Sequence, residues 1–136
     1  MTIKPFQLEK HAELVHGWAV AHGRKDGLLT DLLPPDGIVV YEDDEPIAAC
    51  WLYLACGVGV GWIDHFHTRP KMKPSEAQVA IEFMVSAFRD IASSNDYGTI
   101  YTHTHLAIAR RAVKSGWIPV NTGMVQMWIP TGKEAA

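Results

Sequence analysis

The chain is poor in cysteine, with only Cys50 and Cys56 among 136 residues. Both fall on one expected strand. Six strand residues span roughly 20 Å, too far for a disulfide within a straight strand. The pair therefore reads as small apolar groups in a reducing compartment. The chain also lacks an apolar run long enough to cross a bilayer. Met1 to Phe6 contains no apolar signal core, so a cytoplasmic protein away from membranes is expected. Positive charge is not in excess: the formal net charge is −3. That gives no electrostatic case for non-specific nucleic-acid binding, which usually shows a basic stripe. No low-complexity tract appears, so disorder is expected only at the ends. Gly57, Gly59 and Gly61 do not make a phosphate loop, because no Lys-Ser/Thr follows and no helix begins there.

Hydrophobic residues make up 48% of the chain. That suits one domain, residues 1–130, with a flexible tail at 131–136. Ile3 to Gln7 is a short candidate strand. Glu9 to His22 reads as a helix with Leu14, Val15, Trp18 and Ala19 on one stripe. Asp26 to Leu33 is a second, short helix, stopped by Pro34-Pro35. His11, His16 and His22 form no ligand pattern and read as surface residues. Gly37 to Tyr41 and Pro46 to Cys56 make a hairpin around the acidic turn Glu42 to Glu45, a solvated tip rather than a cation site. Trp62 to Thr68 is the third strand of the meander. A helix starts at Ser75, where Gln78 completes a capping-box pattern. Its stripe is Ala77, Ala80, Ile81, Met84, Val85 and Phe88. Thr99 to Thr104 is the next strand, and His105 to Ser115 a helix closed by Gly116. Trp117 to Val120 and Met124 to Ile129 are two last strands.

Chemistry concentrates at two histidine pairs, His65-Phe66-His67 and His103-Thr104-His105. Alternate residues on a strand share a face. By that rule His65 and His67 face one side, while Asp64 and Phe66 face the other. The long helix between the third meander strand and the Thr99 strand favours parallel pairing of the two. Both pairs then sit near the C-terminal ends of neighbouring strands, the edge where ligands bind in α/β sheets. Imidazole titrates near neutrality and also ligates metals. The plainer reading is a polar pair on a wet face.

The order β-α-α-β-β-β-α-β-α-β-β, an α/β fold with a mixed sheet and a parallel central pair, resembles the GNAT superfamily of N-acetyltransferases over nearly the whole chain. The best local match is His105 to Trp117, which resembles the family's late helix. Gly116-Trp117 stands for its Gly-Phe pair and His105 for its usual Asn. Trp62 to Pro70 resembles the family's central strand and following turn. The resemblance implies an acyl-coenzyme A, typically acetyl-CoA, whose pantetheine arm lies along that strand near Phe66, His67 and Thr68. It implies a pyrophosphate on the helix N-terminus within Arg69 to Gln78, with Lys71, Lys73 and Ser75 as contacts. The sequence departs from the family at two places. Residues 73–78 contain no glycine, and Ala112 stands where many members carry a tyrosine acid.

Three readings follow. An N-acyltransferase acting on a small-molecule or protein amine needs a base; the candidates are His65, His67, His103, His105 and Asp64. The missing glycines and Ala112 instead suit a non-catalytic GNAT-fold binding protein, a use the resemblance extends to bacteriophage virion and host-interaction proteins. Five tryptophans offer aromatic anchors for such a partner; the other place for them is the core. A third reading puts a metal on the four paired histidines. The Met124 to Ile129 strand, as a free edge, invites pairing across a homodimer.

Overall fold

The computed structural model describes residues 1–125, 127 and 129–132. It falls into two units, Met1–Thr102 and His103–Ala136. The first unit is a five-stranded sheet in the order β1-β2-β3-β4-β5. β1 (Thr2–Pro5), β2 (Asp36–Glu42), β3 (Glu45–Leu54) and β4 (Val60–Thr68) form an antiparallel meander. β5 (Thr99–Thr102) joins β4 in parallel. The expected mixed sheet with a parallel pair is therefore present. The β2–β3 turn is tight because Asp43 and Asp44 both take positive φ, 49° and 63°. That is the two-residue turn whose twist matches a hairpin.

Helix α1 (Leu8–Ala21) covers one face of the sheet. Its Val15 and Trp18 join Leu28, Val39, Tyr41, Ala49 and Trp51 in one apolar cluster. The buried stripe is His11, Val15, Trp18 and Ala19; Leu14, expected on it, is exposed. The alternate strand residues Ile38, Val40, Ala48, Cys50 and Leu52 are buried too. They point to the opposite face, which serves α2 (Pro74–Ser94), a helix in contact with β2, β3 and β5. Ala80, Met84, Phe88 and Ala92 are the buried side of α2, a helical i, i+4 spacing.

Local structure departs from expectation at several further points. The second helix shrinks to a 3-10 turn at Thr30–Leu32. Strand β3 ends at Leu54, which leaves Cys56 exposed beyond it while Cys50 is buried. The box at the start of α2 is displaced two residues: Lys73 is the N-cap, and its N–H donates to the Glu76 carboxylate at 3.3 Å. An ammonium has no acceptor to return the bond. Finally, β5 stops at Thr102, so His103 and His105 lie off the strand.

The second unit contains α3 (Leu106–Lys114), with His105 as N-cap. Gly116, at φ 98°, ends it. Trp117 N–H reaches Ala112 O at 3.2 Å and Gly116 N–H reaches Val113 O at 3.2 Å. That pair of hydrogen bonds is the Schellman ending. Residues 117–120 form no strand. Of the expected strand Met124 to Ile129, Gln126 and Trp128 lie outside the described residues, as do residues 133–136 of the tail. The described positions 124, 125, 127 and 129 carry no strand.

Candidate functional site

The site is built on β4. Its pairing with β5 runs Val60↔Thr99, Gly61↔Ile100, Trp62↔Tyr101 and Ile63↔Thr102, then stops. The Thr102 hydroxyl donates to Ile63 O at 2.9 Å and closes the paired part. Strand β4 continues to Thr68. Among the described residues, no strand pairs with the outer edge of Asp64 to Thr68.

The same stretch is kinked. On its β3 side the register passes from Trp51↔Asp64 to Ala49↔His67. Two steps on β3 therefore match three on β4, which is a β-bulge. The extra residue takes His65 to φ 57°, a left-handed conformation rare outside glycine but more accessible to His, Asn and Asp. The Asp64 carboxylate supports it by accepting the His65 N–H at 2.7 Å.

The bulge overturns the alternation expected from sequence. Paired residues in register share a face, so Asp64 (with Trp51) and His67 (with Ala49) lie on the same, α1-facing side. The His65 ring rests there too, 6.4 Å from the Trp51 ring and 5.9 Å from that of Tyr53. Burial, more than the Arg24 charge, lowers the His65 pKa, with Asp64 opposing. His67 is 3% exposed. Burial first, then the charges of Arg24, His65 and His22, pushes its pKa down to about 4. Both imidazoles are neutral at pH 7. Neither ring has a hydrogen-bond partner among the described residues.

Of the three upstream histidines, His16 and His22 are exposed as expected, though each also hydrogen-bonds the backbone, whereas His11 is buried. His11 is 2% exposed. Its Nδ1 accepts the Gln7 N–H at 2.9 Å, so the neutral ring carries its proton on Nε2, 2.6 Å from the Tyr41 hydroxyl. The His16 Nδ1 accepts the Leu28 N–H at 3.1 Å. His22, the C-cap of α1, places Nε2 3.0 Å from Thr68 O and so ties the helix end to the end of β4. Their sequence signal is weak because Tyr41, Leu28 and Thr68 are distant along the chain from the histidines they meet.

After β4, Arg69 N–H donates to Ile47 O at 2.9 Å, and Lys71 turns the chain at φ 63°. The α2 N-terminus follows. Pro74 offers it no N–H, and Ala77 N–H already bonds Lys73 O at 3.0 Å. The Glu76 carboxylate folds onto the N-cap. Ser75 stands in this first turn as expected. An open groove of about 460 Å³ between α1 and Pro70 is lined by Lys10, Glu13, Leu14, Gly17 and Trp18 and holds none of the histidines. In the second unit, the His105 carbonyl accepts the first N–H bonds of α3, from Ile108 and Ala109. Among the described residues, no group of three or more His, Cys, Asp or Glu is placed to hold a metal ion. Nor is any described helix long and apolar enough to cross a membrane.

No protein-family model matches the sequence, and a comparison with curated proteins finds no relative. Solved structures do match. A mutant protein from Thermus thermophilus superposes at a TM-score of 0.69 with 13% identity, over 98% of this chain and 100% of that one. An aminoglycoside antibiotic 6'-N-acetyltransferase from Acinetobacter haemolyticus gives 0.58 and 15%, over 96% and 99%. A ribosomal-protein-alanine N-acetyltransferase from Brucella melitensis biovar Abortus 2308 gives 0.61 and 12%, over 95% and 100%. The parallel β4–β5 pair that parts after Ile63 and the matches along nearly the full length agree: the chain carries the GNAT acetyltransferase fold in a divergent form.

Proposed function

We propose that the protein is an acyl-CoA-dependent N-acyltransferase acting on an amine. The observation that carries this reading is the bulged end of β4, whose outer edge pairs with no strand among the described residues and which carries Asp64, His65 and His67 on one face. Backbone groups of Phe66 to Thr68 hold the pantetheine arm, and the thioester supplies the acyl carbon. Lys71 and Lys73 meet the phosphates as mobile charges. Two structural neighbours, an aminoglycoside and a ribosomal-protein-alanine acetyltransferase, support the reaction class without naming this acceptor.

An ammonium must shed a proton before it attacks a thioester carbonyl. His65 is the residue we assign to receive it: half-buried, neutral, with neither ring nitrogen hydrogen-bonded among the described residues. His67, held near 4, is too weak a base for that task at pH 7 and serves as a hydrogen-bonding group. Calorimetry with acetyl-CoA, read alongside tryptophan fluorescence, should give saturable binding at micromolar strength. In a binder, His65→Ala should then lower kcat by about 100-fold or more. Absence of heat and of any thermal shift at millimolar acetyl-CoA would reject the enzyme. A GNAT-fold binding protein would then stand, as the proline and the folded-back Glu76 at the α2 N-terminus favour.

A further inference from the structure

Two large rings lie open on the sheet. Trp62 and Tyr101 are register partners across the parallel β4–β5 pair. Their rings stack with centroids 5.7 Å apart and planes 21° from parallel. Tyr101 is 39% exposed and Trp62 half-buried. A lone aromatic at the surface needs no explanation, but adjoining apolar groups left to water mark ligand sites.

The pair belongs to a longer row. Trp62 also opposes Tyr53 on β3. Residues opposite one another share a face, so Tyr53, Trp62 and Tyr101 run side by side across three strands. Asp64 and His65 lie on that same face. Trp51, two residues before Tyr53, opposes Asp64, two residues after Trp62, with no shift of register between them. Two steps along a strand return to the same side. The His65 ring meets the row at Tyr53, 5.9 Å from its ring. Tyr53 is fixed in turn, because its hydroxyl donates to Leu32 O at 2.9 Å. Helix α2 touches β5 from the other face and leaves the row uncovered.

One small molecule can span the open rings and the base. Asp64 stands two residues past Trp62, roughly 7 Å along the strand. A ring lying on Trp62 and Tyr101 therefore carries an amine on a short arm to the level of His65. Asp64 is the only acid of β4, and it places negative charge beside that amine. Aromatic faces attract cations as well, so an ammonium is drawn along the row toward the base. A planar ring gains from stacking what an aliphatic group of equal bulk does not.

We propose that the acceptor is an arylalkylamine, a primary amine on a short arm from a planar ring that rests on Trp62 and Tyr101. The inference rests on the acyltransferase reading and narrows its substrate class. The ammonium gives one proton to His65. Its nitrogen then bonds the acyl carbon, the C–S bond breaks, and a second proton from nitrogen goes to the departing thiolate.

With acetyl-CoA as donor, phenethylamine and tryptamine would be compared with cyclohexylethylamine, equally bulky but not planar, and with spermidine, cationic but not aromatic. The aromatic amines should lead by about three- to tenfold in kcat/KM. Tyr101→Phe should keep that ratio and Tyr101→Ala should bring it toward one, at an exposed position where truncation leaves the fold intact. Equal rates with cyclohexylethylamine, a preference for spermidine, or a ratio that survives Tyr101→Ala would overturn the proposal. A binding measurement needs no turnover. Protein labelled at the indole nitrogens, with the Trp62 signal assigned through Trp62→Phe, would be titrated with phenethylamine in the presence and absence of coenzyme A. Saturable movement of the Trp62 signal that weakens in Tyr101→Ala supports the site. A Trp62 signal that stays still throughout a millimolar titration rejects it. The acetyl-CoA titration is read separately, so a failed enzyme and a failed ring site remain distinct results.

Discussion

His11 and His67 show how differently two buried imidazoles can be used. His11 has both nitrogens engaged, by Gln7 and Tyr41, and locks the start of α1 to β2. His67 has neither engaged among the described residues. Both are held neutral, their pKa lowered mainly by burial. The unfolded chain binds a proton near the ordinary 6.5, whereas folded His67 resists until about 4. Between those values the unfolded state carries more protons, so stability is full above pH 6.5 and is lost as pH falls toward 4. At about 1.4 kcal/mol per unit, His67 alone accounts for on the order of 3 kcal/mol. Urea denaturation should therefore weaken steadily from pH 7 to pH 4.5, with a shallower fall in His67→Gln. Identical pH slopes for the two proteins would contradict this. Neither role is legible from sequence: His11 needs Tyr41, thirty residues away, and His67 needs a bulge.

At the scale of elements, periodicity reads well where one face is buried and nothing interrupts it. The stripe of α2 is the clearest case, with Ala80, Met84 and Phe88 on one side and exposed Val79 and Phe83 on the other. Met84→Ala should cost about 2–5 kcal/mol by opening a cavity, whereas Val79→Ala should stay within about 0.5 kcal/mol. Comparable losses in thermal or urea melts would show that the faces are misassigned. The Gly116 ending of α3 is equally local, since a left-handed residue closes the helix through its own neighbours. Strand β4 defeats the same logic. One inserted residue at His65 reverses every later side chain, and nothing in Asp64-His65-Phe66-His67 announces it. Trp117 to Val120 fails differently: β-branched and aromatic character favours a strand, but a strand exists only when another accepts its hydrogen bonds.

For the whole molecule, charge sets the terms of any coenzyme binding. The chain is anionic, with a net charge of −3, and coenzyme A is anionic as well. Attraction must come from the local cations Arg69, Lys71 and Lys73, without the close backbone approach that glycines permit. Such contacts are screened by salt. Affinity for acetyl-CoA should drop several-fold between about 50 and 300 mM NaCl. The Lys71→Ala/Lys73→Ala double variant should weaken binding by about tenfold and flatten that dependence. A salt-independent affinity would place the phosphates elsewhere.

The sequence alone determined the mixed sheet, its parallel pair, the long crossover helix and the Gly116 ending. All four rest on local rules: side-chain periodicity, turn chemistry and the length a crossover needs. It also singled out two histidine pairs, His65 with His67 and His103 with His105, and Asp64 as an alternative base. Tertiary structure decided how they are presented. The bulge brought Asp64 and His67 to one face, the end of β5 left the outer edge of β4 without a strand partner among the described residues, and the His22–Thr68 bond tied the end of α1 to the end of β4. Each of those outcomes depends on contacts between residues far apart in the chain, and no window of sequence contains both partners.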